Sequence, residues 1–180
     1  MGIRRFEDKA PQLGERVFVD RDATVLGDVI LGDDCSVWPK AVIRGDMHHI
    51  RIGARVSIQD NAVLHITHDS AFNPGGYGLV IGDDVTIAHQ VMLHGCTLGS
   101  RVMVGMQAIL MDGAVVEDDV IIAAGSLVGP GKRLESGYLY RGQPARQARP
   151  LTDEEKAFLT YVAGNYVRLK DRYMADGGHV

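Results

Sequence analysis

The stretch LGSRVMVGMQAILMDGAVVEDDVIIAAGSLV, Leu98 to Val128, carries an aliphatic residue at every sixth position: Leu98, Val104, Leu110, Val116, Ile122 and Val128. A period of six matches neither the 3.6 of an α-helix nor the 3.5 of a coiled coil, and it is too short for a helix-turn-helix repeat. The same spacing runs upstream. Val19, Val25, Leu31, Val37 and Ile43 form one series, Ile52, Ile58 and Leu64 a second, and Ile81, Ile87 and Leu93 a third. Leu, Ile and Val are 46 of the 180 residues, so chance fills each position about one time in four. Seventeen filled positions with three breaks are far beyond chance.

The residue after each aliphatic is often small, as at Gly32, Gly53, Gly82, Ala88, Gly99 and Gly105, and the residue four places on is often small or branched, as at Cys35, Ala41, Ala62, Val91 and Ala108. Such a unit is one short strand and one corner. Three units close a triangular coil, and coils stacked about 4.8 Å apart pair their backbones in parallel. The expected fold is an all-β solenoid of hexapeptide repeats, a parallel β-helix over residues 12–149. It has nearly six coils and is on the order of 27 Å tall. A different pattern follows. Thr152 with Glu155 three residues on reads as a capping box, and Gly177 and Gly178 close the segment. We expect a C-terminal α-helix over residues 150–175, packed on the β-helix by a stripe of Phe158, Val162, Leu169 and Tyr173.

Composition narrows the function. The net charge of −4 gives no electrostatic case for nucleic acid or an anionic membrane. The longest apolar run, Val120 to Ala124, cannot span a bilayer. The opening MGIRRFEDKAPQLG offers no apolar signal, so a cytoplasmic location is expected. Cys35 and Cys96 form no CxxC pair and read as small buried hydrophobes. There is no GxGxxG or GxSxG, and GPGKR at Gly129 to Arg133 only grazes a phosphate loop.

Six of the seven histidines lie between His48 and His94. Counting one face per repeat across the breaks puts Ile43, Leu64 and Leu93 on one face in three successive coils. Arg44, His65 and His94 then form one outward column, because neighbouring side chains in a strand point to opposite sides. Two imidazoles one coil apart can both reach one metal, whose bonds to nitrogen are about 2.0 to 2.1 Å. His89 falls on a different face, two places past Ile87, as Asp60 is two places past Ile58. A homotrimer with neighbouring faces in contact would bring His89 of one chain to His65 and His94 of the next. Three histidines with an open fourth position are the arrangement of a catalytic zinc. Gln59 and Asp60 are candidate orienting groups for His89. Arg44 and Asp46, either side of Gly45, are candidates for a salt bridge across the interface. His48 and His49 read as solvated loop residues, and His68 as a loop residue or a proton shuttle.

The strings VIRGD (Val42 to Asp46), IQDNAVLH (Ile58 to His65) and IAHQVMLHG (Ile87 to Gly95) resemble the gamma-class carbonic anhydrases and, within them, a bacterial carbonic-anhydrase-like subgroup. The resemblance covers almost the whole chain. It implies a left-handed β-helix in a homotrimer with shared sites, with His65, His89 and His94 on Zn2+ (Fe2+ or Co2+ as alternatives). It further implies that Gln59 bonds the metal-bound hydroxide, Asp60 orders that network, and CO2 is hydrated to bicarbonate. Two glutamates of the archetype are replaced here by Met47 and His68, and its acidic loop is missing between Asp69 and Val80. His68 is the candidate replacement for proton transfer, since a free imidazole titrates near 6.5. Two other classes share this architecture: acyltransferases that bind coenzyme A between subunits, and trimers that bind metal without catalysis.

Overall fold

The computed structural model describes residues 2–177; Gly178 lies outside the described residues. All seventeen aliphatic positions are buried, none more than 4% exposed. They form three columns. The first face stacks Ile3, Val25, Ile43, Leu64, Leu93, Leu110 and Val128 in parallel register. The second stacks Leu13, Leu31, Ile52, Ile81, Leu98, Val116 and Leu134. The third stacks Val19, Val37, Ile58, Ile87, Val104, Ile122 and Tyr140. The order of the faces is the one the six-residue count requires.

The solenoid is longer than that count. Seven levels stand on each face, and the antiparallel strand Ala145–Pro150 adds an eighth strand to the third. The extra levels come from Ile3 and Leu13 at one end and from Leu134 and Tyr140 at the other. Leu134 and Tyr140 keep the six-residue step, but an aromatic ring ends the aliphatic column there.

The corners that follow the second and third faces turn at the third residue after the inward one. Asp34, Lys40, Arg55, Asn61, Asp84, Gln90, Arg101, Gln107 and Asp119 all hold φ between 55° and 61°, a left-handed conformation that costs a non-glycine residue roughly 1–2 kcal/mol. The next residue then points into the corner, which is why it is small or branched: Ala41, Ala62, Val91 and Ala108 are at most 1% exposed. Along one edge the corner residues alternate in charge, Arg16, Asp34, Arg55, Asp84, Arg101, Asp119. Arg16 bonds Asp34 at 2.8 Å, Arg55 bonds Asp84 at 2.6 Å and Arg101 bonds Asp119 at 2.6 Å. Exposed pairs of this kind contribute about 0–1 kcal/mol each.

All three breaks in the period fall at the corner between the first and second faces. The strand Val42–Ile52 runs through that corner without interruption, and the excursion between Leu64 and Ile81 is pinched by an antiparallel bridge from Thr67 to Tyr77. Irregularity is thus confined to one edge.

Helix α1 spans Asp153–Ala175, with Thr152 as N-cap in a complete capping box with Glu155. It packs on the third face against the strands Phe18–Val19, Ser36–Val37 and Thr86–Ile87. Its buried side differs from the expected stripe. Leu159, Ala163 and Lys170 are at most 1% exposed, whereas Phe158 is 46% exposed and stacks on Tyr161. Tyr166 and Tyr173 meet Trp38, at ring separations of 5.9 and 5.2 Å. The apolar count misplaced the stripe because its centre is charged: Lys170 is buried against Asp34 at 3.0 Å. Among the described residues no helix is long and apolar enough to cross a membrane. Both cysteines are free and buried, and burial pushes each thiol up to about 12.

Candidate metal centre

Leu64 and Leu93 are neighbours in the first-face column, and the residues after them pair directly, His65 with His94. Their outward rings lie 5.2 Å apart, with His65 Nδ1 3.2 Å from His94 Nε2. Each ring's other nitrogen is held by a carboxylate. His65 Nε2 meets Asp46 Oδ1 at 3.0 Å, and His94 Nδ1 meets Asp112 Oδ1 at 2.7 Å.

An ionised carboxylate only accepts, so Asp46 and Asp112 fix the tautomers: protons sit on His65 Nε2 and His94 Nδ1. The facing nitrogens, His65 Nδ1 and His94 Nε2, then both present lone pairs. Two acceptors at 3.2 Å repel unless a cation lies between them. A shared proton is one solution and a metal is the other. Two nitrogens on a metal at about 2.0–2.1 Å, with a near-tetrahedral angle, are about 3.2–3.4 Å apart, so the donor pair fits such an ion. Burial lowers the His65 pKa against the opposing pull of Asp46, which favours the neutral imidazole that can ligate. Burial pushes Asp46 up, but hydrogen bonds from His65 and Arg44 outweigh it and leave the carboxyl below its usual value.

The carboxylates are themselves held. Arg44 forms an ion pair with Asp46. The pair closes within one chain, because residues two apart on a strand lie on the same side. Thr67 donates from Oγ1 to Asp112 Oδ2 at 2.9 Å. A side chain at position 95 would meet Asp112 Oδ1 at 2.3 Å, so Gly95, with φ of 52°, is what lets the carboxylate reach His94. Asp112 and Thr67 were missed in the sequence reading.

His89 stands on the third face, 45% exposed, with Nδ1 2.9 Å from Asp60 Oδ2. It repeats the pattern of the other two, with one nitrogen on a carboxylate and Nε2 free. Gln59 is 4% exposed and lines, with Thr86, His89 and Tyr166, a cavity of about 250 Å3 under α1. Among the described residues the Thr86 hydroxyl has no hydrogen-bond partner. Among the described residues no three of His, Cys, Asp or Glu converge as a metal-holding group. The His65–His94 pair and His89 stand on two different faces.

The remaining histidines are placed differently from each other. His68 is exposed on the excursion. His48 and His49 are half-buried rather than solvated: their rings pack at 4.5 Å, and His48 Nε2 bonds Gly75 O at 3.1 Å. The long excursion folds back over them, which the sequence pattern does not reveal.

A solenoid of six-residue units defines a hexapeptide-repeat protein, and the chain belongs to that family. Residues 10–45 and 95–130 match the family described as bacterial transferase hexapeptide (six repeats). Within it, the chain groups with YrdA and the plant gamma carbonic anhydrases. It is 59% identical to Protein YrdA of Escherichia coli over 97% of this chain and 95% of that one. It is 42% identical to mitochondrial gamma carbonic anhydrase 1 of Arabidopsis thaliana over 94% of this chain, which spans 61% of the plant protein. A solved structure titled as a hexapeptide transferase family protein from Anaplasma phagocytophilum superposes with a TM-score of 0.87 at 38% identity, covering 96% of this chain and 98% of that one.

Proposed function

We propose that the chain is a metal-dependent CO2 hydratase whose site is completed by a neighbouring copy in a cytoplasmic homotrimer. His65 and His94 of one chain would join His89 of the next around Zn2+, with Fe2+ or Co2+ as alternatives. One observation carries the reading: two imidazole lone pairs face each other at 3.2 Å while their far nitrogens are held by carboxylates. The likeness to plant gamma carbonic anhydrases supports the same assignment.

When bound, the metal supplies Lewis acidity that brings the pKa of a water molecule towards 7. The chain's residues do the rest. Asp46, Asp60 and Asp112 hold the three histidines in one tautomer and aimed outward. Arg44 holds Asp46 in place. Gln59 orients the reacting oxygen from the buried side, and His68, on the exposed excursion, passes the proton to solvent.

The test is metal content after anaerobic purification, followed by stopped-flow CO2 hydration on zinc- and iron-loaded protein, with His94→Ala as control. About one metal per chain, and hydration abolished in His94→Ala, is the expected result. Metal-free protein, or hydration indifferent to His94, would overturn it. An exposed Met47 beside Asp46, where a proton-relaying carboxylate would serve CO2 hydration, favours a second reading: a trimer that binds metal without turnover. That reading predicts full metal occupancy with background hydration. Saturable coenzyme A binding would instead favour an acyltransferase.

A further inference from the structure

A cavity of about 440 Å3 opens at the C-terminal end of the prism, under the hairpin formed by Tyr138–Gly142 and Ala145–Pro150. It lies two levels beyond His94 on the first face and shares no residue with the histidine sites. Its floor is apolar, formed by Val128, Leu134, Tyr140 and Pro144, and Lys132 and Arg146 stand at its rim.

The charge of this end opposes that of the molecule. Between Lys132 and Pro150 there are five basic residues (Lys132, Arg133, Arg141, Arg146 and Arg149) and one acid, Glu135, in a chain of net charge −4. Arg133 and Arg149 are neutralised by Glu117 and Glu155. Among the described residues no carboxylate lies within ion-pair distance of Lys132 or Arg146, and the Arg146 guanidinium reaches only the carbonyl of Ala145. Two uncommitted cations over an apolar floor, in a concavity of small-molecule size, are the recognition elements for an amphipathic anion. Gly129, on the lining, has open space where a side chain would project. The cleft is therefore not closed by its own packing.

We infer that this end cleft binds a phosphate monoester carried on an apolar body, the phosphate on Lys132 and Arg146 and the body on Leu134, Tyr140 and Pro144. The inference is independent of the metal reading.

The experiment is isothermal titration of the full chain with 1-naphthyl phosphate, with inorganic phosphate and 1-naphthol as separate arms. Saturable binding of one naphthyl phosphate per chain is expected, with each half-ligand at least about tenfold weaker. Lys132→Glu with Arg146→Glu should weaken binding by about tenfold or more. Gly129→Leu adds an apolar side chain on the lining without touching a charge and should do the same. Arg141→Gln, at the same end but off the lining, removes a charge without placing a carboxylate against its cross-strand partner Arg146 and should stay within about twofold. No saturable heat at millimolar ligand would overturn the proposal. So would an equal loss with Arg141→Gln, which would mean a diffuse field, or indifference to Gly129→Leu in protein with the parent's melting profile.

Discussion

His94 and Asp112 come from successive coils of the same face, and their 2.7 Å contact sets which nitrogen of His94 is free to face His65. The contact depends on three residues acting together: Gly95 leaves the space, Asp112 fills it, and Thr67 holds the second carboxylate oxygen. It turns a histidine on a flat wall into a directed donor.

Removing that carboxylate should therefore weaken the metal without removing a ligand. Partners of ligating histidines are worth about 10–100-fold in affinity, so Asp112→Ala should fall in that range by chelator competition, and Thr67→Val by much less. An Asp112→Ala protein that holds metal as tightly as the parent would show that the carboxylate has no orienting role.

The placement of this pair was legible in the sequence, and its support was not. Counting sixes from Leu64 to Leu93 across an irregular break put His65 beside His94, because a register fixed by buried Ile, Leu and Val survives insertions at a corner. Asp112 stands two places past Leu110, the offset of Asp60 past Ile58 and His89 past Ile87. The same counting would have reached it, but an aspartate in the turn sequence MDG reads as turn chemistry. The helix stripe was misread for a related reason. Lys170 lies at its buried centre, and a hydrophobicity count cannot anticipate a lysine paired with Asp34.

The column under the site should be sensitive to single truncations. Leu93 is fully buried directly before His94, between Leu64 and Leu110, and the neighbouring levels cannot collapse without breaking backbone pairing above and below. Leu93→Ala should cost about 2–5 kcal/mol by denaturant unfolding. Ile109→Ala, one residue before the inward Leu110 and 41% exposed, should stay within about 1 kcal/mol.

Stability should also fall in acid for a definable reason. Arg16 and then Lys170 hold the Asp34 carboxyl down at about 2, from an ordinary 3.8, against the opposing effect of burial. A depressed carboxylate stabilises the fold fully above its unfolded pKa, and the contribution disappears as pH drops through the folded one. The window is therefore pH 4 down to 2. After allowance for solvent screening the contribution is about 1 kcal/mol. Urea midpoints measured across that window should fall less steeply in Asp34→Asn than in the parent, and Asp34→Asn should be the less stable protein at pH 7. Parallel curves would remove Asp34 from the account.

Sharing of the site between copies makes the sharpest prediction, because it reverses the usual arithmetic of loss-of-function variants. If each site takes His65 and His94 from one chain and His89 from its neighbour, His65→Ala and His89→Ala each destroy all sites in their own homotrimers. Co-refolding the two proteins brings an intact His65–His94 pair against an intact His89 at one of the three interfaces in every mixed trimer. Metal retention should then recover to at most one ion per mixed trimer, about a third of the parent. His65→Ala mixed with His94→Ala should recover nothing, since both lesions fall on the same half of the site and no interface pairs two intact histidines from one wall. Recovery in that second mixture would mean that His65 and His94 act from different chains, and none in the first would mean that the ligands are not shared.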